Sequence, residues 1–391
     1  MDKILIISDF CCTTGFATVG QNVAKYLKPK YEIDVLALNY HGDPHPLQKS
    51  FNIFPATLQG DMYGINRVAN IVASNDYKMI FMINDIWIVS EYIREIRTKV
   101  NKTIPIVTYT PVDAPHLKPE FIHPLNQGIQ HSIYYTEFGR NEAILGGLTI
   151  PSSVISHGVD QDVFQFMPKK AARDESGIPH DDYVVLMVNR NNPRKRLDYG
   201  IYAFSEWVKR TNKPKNVKLY YHGALRDVGP DLEDVADYCG VGDRFIITSR
   251  NMTMNNMLPI EKLKVVYNSG DVYFSSSSNE GWGLCVHEAM ACGLPCIIPQ
   301  YSALAEWPNG GVEYISVDPK PEFNTAQVNT IFRQFNLESF IEKSEKLYND
   351  AAYRKELGKK AYRLATKSEF EWKNIANEFH AVFQKVIKQN G

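Results

Sequence analysis

Two glutamates and a glycine-rich loop between Asp271 and Gln300 are the residues of this sequence best suited to chemistry. The apolar run 272–274 predicts a buried strand, and a helical pattern begins at Leu284 and stops at Gly293. The free N–H groups of a first helical turn, together with the positive end of the helix dipole, form an anion site that commonly binds phosphate. The segment therefore predicts a strand–loop–helix–strand unit with a phosphate site at the start of its helix.

Two carboxylates flank this predicted anion site. Glu280 lies in the loop before the helix, and Glu288 follows eight positions later, about one turn inside it. Carboxylates accept pairs of hydrogen bonds from hydroxyl groups, so a ligand with a central phosphate and a polyhydroxylated group on each side would use all three features. A nucleotide sugar is such a ligand. A solvated loop followed by a core helix with one surface glutamate remains the alternative.

A basic loop offers a second anion site. The predicted strand 183–188 runs into a loop in which four of seven residues are basic: Arg190, Arg194, Lys195 and Arg196. Arginine presents a fixed fork of donors and lysine a mobile point charge, and together they suit a diphosphate. An exposed basic surface loop is one alternative. A nucleic-acid backbone site is another, although no aromatic stacking platform accompanies the loop.

The glutamate segment resembles a known family. Its residues NEGWGLCVHEAMACGLPCI are similar to the E-x7-E signature of the retaining nucleotide-sugar glycosyltransferases of family 4, which have the GT-B fold. The resemblance implies two Rossmann-like parallel-sheet α/β domains that face each other across a crevice. It also implies that Glu280 contacts sugar hydroxyls, that Glu288 holds the nucleotide ribose, and that Arg190 and Lys195 match an Arg–Lys pair at the diphosphate.

The remaining site residues are also implied by the resemblance. Gly15 and Phe16 match a loop that meets the donor phosphate and the acceptor, with one glycine instead of the usual pair, and a plain tight turn is the alternative. Asp113 stands where many members have a histidine next to the sugar. The implied catalytic residues are Asp113, Arg190, Lys195 and Glu280. The implied donor-binding residues are Gly15, Phe16, Asn189, Arg190, Lys195, His222, Met252, Glu280, Gly281, Trp282, Gly283, Leu284 and Glu288.

The elements that would position these residues follow from hydrophobic patterning. Short apolar runs alternate with helical segments in both halves of the chain, which predicts parallel sheets with their polar strand ends at a ligand crevice. The first helix is predicted from about Val19 to Leu27, and the charged stretch from Met167 to Pro179 is predicted to be a linker. The resemblance implies an acceptor domain over 1–165, a nucleotide-sugar domain over 175–366, and a helix over 367–391 that returns to the first domain.

Composition limits the partners and the compartment. The net charge of −1 provides no bulk positive field that would attract nucleic acid or anionic lipid. The six cysteines include no C-x2-C pair, which favours buried free thiols in a reducing compartment. The first apolar run, 4–7, is too short for a signal peptide or a membrane span. A cytoplasmic location follows as an expectation, with peripheral membrane association and the oligomeric state left open.

The sequence therefore predicts a retaining, metal-independent glycosyltransferase. Its donor would be a nucleoside diphosphate sugar, most simply a UDP- or GDP-sugar acting as co-substrate, with no cofactor. Its acceptor would be a hydroxyl group of a glycan, a lipid-linked sugar, a protein or a small molecule. The alternatives are a glycosyltransferase acting on a modified nucleobase of viral or phage DNA, a sugar-phosphate phosphorylase, and a non-catalytic sugar-nucleotide-binding protein.

Overall fold

The computed structural model describes residues 1–58, 60–253, 256–323 and 331–390, which form two compact units. Within these ranges, the first unit contains residues 1–158 and 369–390, and the second contains residues 159–323 and 331–368. Among the described helices, none combines the length and the apolar character that crossing a membrane requires.

The first unit is built on a seven-stranded parallel sheet in the order β3-β2-β1-β4-β5-β6-β7. Its strands are β1 (Asp2–Asp9), β2 (Tyr31–Leu38), β3 (Asn52–Pro55), β4 (Met79–Ile83), β5 (Ile106–Thr110), β6 (His131–Tyr134) and β7 (Ser152–Val154). Its first helices are α1 (Gly15–Leu27), α2 (Ile65–Ala73), α3 (Ile86–Lys99), α4 (Pro119–Gly128) and α5 (Glu137–Leu145). All five residues of β4 are buried, because a parallel strand covered on both faces needs an apolar run and not an alternating pattern.

Helix α1 begins four residues earlier than the sequence predicted. Thr14 is its N-cap, and the Thr14 hydroxyl accepts a hydrogen bond from the N–H of Ala17. The expected start at Val19 is therefore wrong, and Gly15 and Phe16 lie in the first turn of the helix. The cap explains the difference: small residues before Val19 favour a loop, whereas Thr14 caps a helix that already begins at Gly15.

The second unit has a six-stranded parallel sheet in the order β10-β9-β8-β11-β12-β13, followed by an antiparallel pair β14-β15. Its strands are β8 (Tyr183–Val188), β9 (Val217–His222), β10 (Phe245–Ile247), β11 (Val272–Phe274), β12 (Cys296–Pro299), β13 (Glu313–Ile315), β14 (Glu322–Phe323) and β15 (Ile331–Phe332). Its helices are α6 (Lys169–Ser176), α7 (Leu197–Arg210), α8 (Leu232–Tyr238), α9 (Ile260–Ser269), α10 (Leu284–Ala291), α11 (Leu337–Asn349) and α12 (Ala351–Ala365). The two parallel sheets confirm the predicted α/β class.

Helix α6 occupies most of the stretch that was predicted to be a linker, and that prediction is wrong. Arg173 on this helix is only 3% exposed, and its Nη2 lies 2.7 Å from Oδ2 of Asp271. The same guanidinium donates to the backbone carbonyls of Ser269, His180 and Asp182. A stretch rich in charge favours a linker, but its arginine, Arg173, is buried and connects α6 to the segment before β11 within the second unit.

The last helix, α13 (Trp372–Asn390), packs within the first unit. Phe379 and Phe383 place their rings 5.3 and 4.8 Å from the ring of Phe81 on β4. The hydroxyl of Tyr31 on β2 lies 2.8 Å from Nδ1 of His380. The apolar face of this helix is therefore used for packing against the first sheet.

Candidate functional site

Most of the sequence-predicted donor residues of the second unit follow the carboxyl ends of β8 and β11. These two strands are neighbours in the second sheet, with Val185 opposite Val272 and Leu186 opposite Tyr273. The chain order jumps there from β8 to β11, with β9 on the other side of β8. Ligands of open α/β sheets bind at such a reversal of strand order, because the loops there diverge and leave a crevice.

The serine run after β11 holds the basic loop that follows β8. The hydroxyl of Ser276 donates to the carbonyl of Lys195 at 2.8 Å, and the hydroxyl of Ser278 donates to the carbonyl of Arg194 at 2.9 Å. The backbone N–H of Ser278 donates to the same Arg194 carbonyl at 3.0 Å. The serines therefore fix the backbone from which two basic side chains project.

Both of those basic side chains reach Glu280. Lys195 Nζ lies 2.5 Å from Glu280 Oε1, and Arg194 Nη1 lies 3.4 Å from Glu280 Oε2. Arg194 also donates to the carbonyl of Asn279. The hydroxyl of Ser302 accepts from the Glu280 N–H and donates to the Glu280 carbonyl, each at 3.0 Å. Glu280 is therefore held through both its side chain and its backbone.

The charges around Glu280 decide its ionisation. Burial acts to raise the pKa of Glu280, but the charges of Lys195 and Arg194 outweigh burial and lower that pKa to about 2. Burial lowers the pKa of Lys195, and the negative charge of Glu280 opposes that shift. We therefore treat the two as an ion pair at neutral pH, in which Glu280 is a carboxylate that can only accept hydrogen bonds.

Arg190 stands apart from this pair. Its Nε lies 2.5 Å from Oδ2 of Asp227, and its side chain is 47% exposed. The amide of Asn191, which is 1% exposed, anchors the same loop by donating to the carbonyls of Leu225 and Pro230 at 2.7 Å each. The structure thus places Arg190 and Lys195 in one loop but on different carboxylates.

Glu288 lies in the second turn of α10, in surroundings unlike those of Glu280. Its Oε2 accepts a hydrogen bond of 2.6 Å from the hydroxyl of Tyr267 on α9. Burial raises the pKa of Glu288 to about 7, against the hydrogen bond from Tyr267, which lowers it. The two glutamates of the segment therefore differ in pKa, because two cations outweigh burial at Glu280, whereas at Glu288 burial outweighs the hydrogen bond from Tyr267.

The start of α10 confirms the predicted helix at Leu284. Gly283 is its N-cap in the left-handed region at φ 91°, and no side chain caps the helix. A Cβ at Gly283 would lie 2.7 Å from Cδ2 of Leu304, so the position favours glycine on two grounds. Trp282 is buried and stacks on Trp307 with ring centroids 4.7 Å apart, so any contact between Trp282 and a ligand would use its backbone.

His222 and Met252, which the resemblance implies as donor-binding residues beside the nucleotide base, lie at or shortly after the ends of neighbouring strands. His222 is the last residue of β9, and Met252 follows β10. His222 is 2% exposed, its Nδ1 lies 2.9 Å from the hydroxyl of Thr248, and burial lowers its pKa to about 4. Met252 is 5% exposed. Both side chains are therefore largely enclosed, and a contact with a base stays a prediction.

The predicted residues of the first unit lie at the carboxyl edge of its own sheet. Gly15 and Phe16 open α1 after β1, and Asp113, 9% exposed, follows β5. Asp9 at the end of β1 was not predicted. It accepts hydrogen bonds from Thr14 and Asn39 at 2.5 and 3.0 Å, and burial raises its pKa. An acidic residue closing a buried strand is the sequence signal that could have identified it.

Sequence reasoning also missed two contributors in the second unit. Arg194 was counted as one of the basic residues, but its contact with Glu280 was not foreseen, and neither was the bond from Tyr267 to Glu288. No local signal marks either contact. In the described ranges, no group of three or more His, Cys, Asp or Glu side chains is placed to hold a metal ion, and metal independence stays a prediction.

Comparison with known sequences agrees with the geometry of the second unit. The family profile described as "Glycosyl transferases group 1" matches residues 168–364, about half of the chain. The D-inositol 3-phosphate glycosyltransferase of Segniliparus rotundus is 32% identical over 154 residues, which is 39% of this chain and 32% of that protein. An uncharacterized glycosyltransferase of Methanocaldococcus jannaschii is 26% identical over 220 residues, 56% of this chain and 49% of that protein. The matches thus span about a third to a half of these curated relatives.

Comparison with solved structures covers the whole chain. Sucrose-phosphate synthase from Thermosynechococcus elongatus superposes with a TM-score of 0.76 at 16% identity, over 100% of both chains. The Anabaena protein HepE in complex with UDP-glucose gives a TM-score of 0.71 at 14% identity, over 98% of this chain and 100% of that one. At such identities the likeness establishes the two-domain GT-B fold and nothing finer.

Proposed function

The chain belongs to the group 1 glycosyl transferases, and from that premise we propose that it transfers a sugar from a nucleoside diphosphate sugar to a hydroxyl acceptor. The observation that carries the proposal is the meeting of the basic loop after β8 with Glu280 after β11, four residues before the uncapped start of α10. Cations, helix N–H groups and an ionised carboxylate are the groups that a diphosphate joined to a sugar would need.

The main chemical demand of such a reaction is the negative charge that develops on the leaving diphosphate. Fixed cations and N–H donors meet this demand because they need no reorganisation when the bond breaks. We assign this role to Lys195, Arg190 and the backbone N–H groups at Leu284. Lys195 is paired with Glu280 and Arg190 with Asp227, so each side chain would turn from its carboxylate toward the ligand.

The two glutamates receive different parts of the donor. Glu280, ionised and held at its backbone by Ser302, would accept hydrogen bonds from the sugar hydroxyls. Glu288 would accept hydrogen bonds from the ribose hydroxyls. The loops with His222 and Met252 would border the base. No carboxylate need attack the sugar, because in a retaining reaction of this type the leaving phosphate can take the acceptor proton on the same face.

The acceptor side of the proposal rests on three residues of the first unit. Gly15, Phe16 and Asp113 lie in the first unit, and their contacts with donor phosphate and acceptor stay predictions. UDP-glucose is bound in the structure of the Anabaena relative, so a UDP-sugar is the first donor to test, with a GDP-sugar second. Retention of configuration and a cytoplasmic location also stay predictions.

A panel of sugar nucleotides would test the proposal. A donor present at 100 times its Kd should stabilise the folded chain by about 2.7 kcal/mol, which a thermal-shift assay detects. The stabilising donor is then incubated alone and with candidate acceptors, and release of nucleoside diphosphate is measured. Failure of every sugar nucleotide to stabilise the protein contradicts the proposal. Binding without any release of diphosphate would instead support a non-catalytic sugar-nucleotide-binding protein.

A further inference from the structure

Tyr267 is a buried residue that reaches directly into the proposed ribose site. It lies on α9, has no exposed surface, and donates from its hydroxyl to Oε2 of Glu288 at 2.6 Å. Its ring packs against those of Phe164 and Tyr273, with centroids 5.9 and 6.2 Å away. The ring is thus held by aromatic neighbours, and this packing sets the direction of its hydroxyl.

The phenols and thiols nearest to Glu288 are uncharged near neutral pH. Burial raises the pKa of each of the phenols and thiols that face it: Tyr267 on α9, Tyr273 on β11, and Cys285 and Cys292 beside α10. Charged groups lie one step further out. The charge of Lys264 on α9 lowers the pKa of Cys292, and the charges of Lys195 and Glu280 shift the pKa of Cys285 in opposite directions. Glu280 has two cations within 3.4 Å, whereas the hydrogen bond that Glu288 receives comes from a neutral phenol.

We propose that Tyr267 is the positioning residue of Glu288: its hydroxyl holds Oε2 and so presents the carboxylate to the ribose hydroxyls in ionised form. The proposal rests on the proposed function for its ligand. It goes beyond that function by naming a residue outside the E-x7-E segment that sets both the orientation and the charge of the second glutamate.

The chemical consequence is a dependence on pH. A carboxylate accepts hydrogen bonds from both hydroxyls of a ribose diol. A protonated carboxyl group accepts fewer hydrogen bonds, and its own O–H needs an acceptor. Burial places the pKa of Glu288 at about 7, and Tyr267 acts to lower it. Loss of the Tyr267 hydroxyl should therefore raise the pKa of Glu288. Glu288 would then stay protonated to a higher pH, and the donor would bind tightly only at pH values above the raised pKa.

The first test needs no ligand. The full chain is labelled with glutamate carrying 13C at the carboxyl carbon, and the Glu288 signal is assigned by its absence in Glu288→Gln. Tyr267→Phe should raise the titration midpoint of Glu288 by about one to two pH units, as expected for the loss of one hydrogen bond to a charged group. Tyr314→Phe is the matched control, since its hydroxyl donates to the carbonyl of Leu304 at 2.9 Å. An unchanged midpoint in Tyr267→Phe overturns the proposal.

A second variant covers the case in which Tyr267→Phe does not fold. Incorporation of 3-fluorotyrosine at position 267 keeps the ring and makes the hydroxyl a stronger donor. The midpoint of Glu288 should then fall, because the ionised form gains more from the stronger bond. A midpoint that stays or rises overturns the proposal equally.

The second test uses UDP-glucose, whose two phosphates carry no group that titrates between pH 6 and about 9. Its affinity for the wild-type chain should rise through about pH 7, and in Tyr267→Phe the rise should move by the same interval as the NMR midpoint. A loss of affinity that is equal at every pH would make Tyr267 a merely structural residue and overturn the proposal. If neither UDP-glucose nor GDP-mannose binds the wild-type chain at any pH, the proposed function fails. The titration of Glu288 still tests the positioning role of Tyr267, because it needs no ligand.

Discussion

Lys195 Nζ lies 2.5 Å from Oε1 of Glu280, so the cation assigned to the diphosphate is paired with the carboxylate assigned to the sugar. Their side chains are 12% and 9% exposed. A buried pair of this kind is costly to break from one side, because the remaining charge is left without a partner in a poorly solvated place. A ligand that brings a phosphate to Lys195 and hydroxyl groups to Glu280 would give each group a replacement partner.

The basic loop should determine the affinity for nucleoside diphosphates. Arg190→Ala and Lys195→Ala are each expected to weaken UDP or GDP binding by about 1.5–3 kcal/mol, the range for hydrogen bonds to charged groups. Isothermal titration calorimetry measures the effect. Lys215→Ala removes the same charge from a side chain that is 84% exposed and should leave affinity unchanged. Unaltered affinity of both loop variants for every nucleoside diphosphate would refute the assignment.

The two glutamates should separate binding from turnover. Glu280→Gln is expected to lower kcat for donor breakdown while nucleoside diphosphate affinity is retained, because it releases Lys195 for the phosphate and removes only contacts to the sugar. Glu288→Gln should weaken nucleoside diphosphate and sugar nucleotide to the same extent, since both contain the ribose. If Glu280→Gln lost nucleotide affinity as severely as Glu288→Gln, the division of roles would be wrong.

The pH dependence of stability should differ in sign between the two glutamates. The folded-state pKa of Glu288 is about 7, above the ordinary 4.5, so the folded chain binds a proton that the unfolded chain has released. Its contribution to stability is therefore lost as pH rises from 4.5 to 7. Glu288→Gln should then be more stable than the wild type above pH 7, by roughly 3 kcal/mol.

Glu280 supplies the contrast. Its folded-state pKa of about 2 lies below 4.5, so the stability it contributes is present above pH 4.5 and is lost as pH falls toward 2. Glu280→Gln should be less stable than the wild type at neutral pH, and the difference in stability should disappear as the pH falls toward 2. Urea unfolding at several pH values measures both variants, and equal pH slopes in the two would contradict the opposite pKa shifts of the two glutamates.

The buried arginine of α6 should be essential to the second unit. Arg173→Met is expected to cost about 3–5 kcal/mol, because Asp271 then stays buried and, in the described part of the chain, keeps Lys169 as its cationic partner. Lys170→Ala, an exposed position on the same helix, should change stability by no more than about 0.5 kcal/mol. Chemical denaturation distinguishes them. Equal, small losses would mean that this stretch behaves as the linker the sequence suggested.

Gly283 should tolerate no side chain. Gly283→Ala combines a left-handed backbone, which costs about 1–2 kcal/mol for an L-residue, with a Cβ 2.7 Å from Leu304. Gly177→Ala has a similar φ of 71° but nothing within 4 Å of the added carbon, so it isolates the backbone cost. We expect the larger loss of stability, together with weaker nucleotide binding, in Gly283→Ala. Identical losses in the two variants would remove the argument from close packing.

The sequence by itself determined the local unit around the two glutamates. Apolar runs and glycine positions were sufficient to predict β11, the helix from Leu284 and the placement of Glu280 before it and Glu288 within it. These features depend on neighbours a few residues away, so local patterns suffice. The short, polar strand β7 (Ser152–Val154) lacks such a pattern, and it was not predicted.

The tertiary structure decided which side chains meet. Lys195 and Glu280 are 85 residues apart, and Tyr267 and Glu288 are 21 residues apart on different helices. Arg173 lies in a stretch whose local sequence predicts a linker, and only the fold shows that Asp271 lies beside it. Such pairs arise because β8 and β11 are adjacent in the sheet, and strand order is set by the summed packing of the whole unit, which no local segment of the sequence encodes.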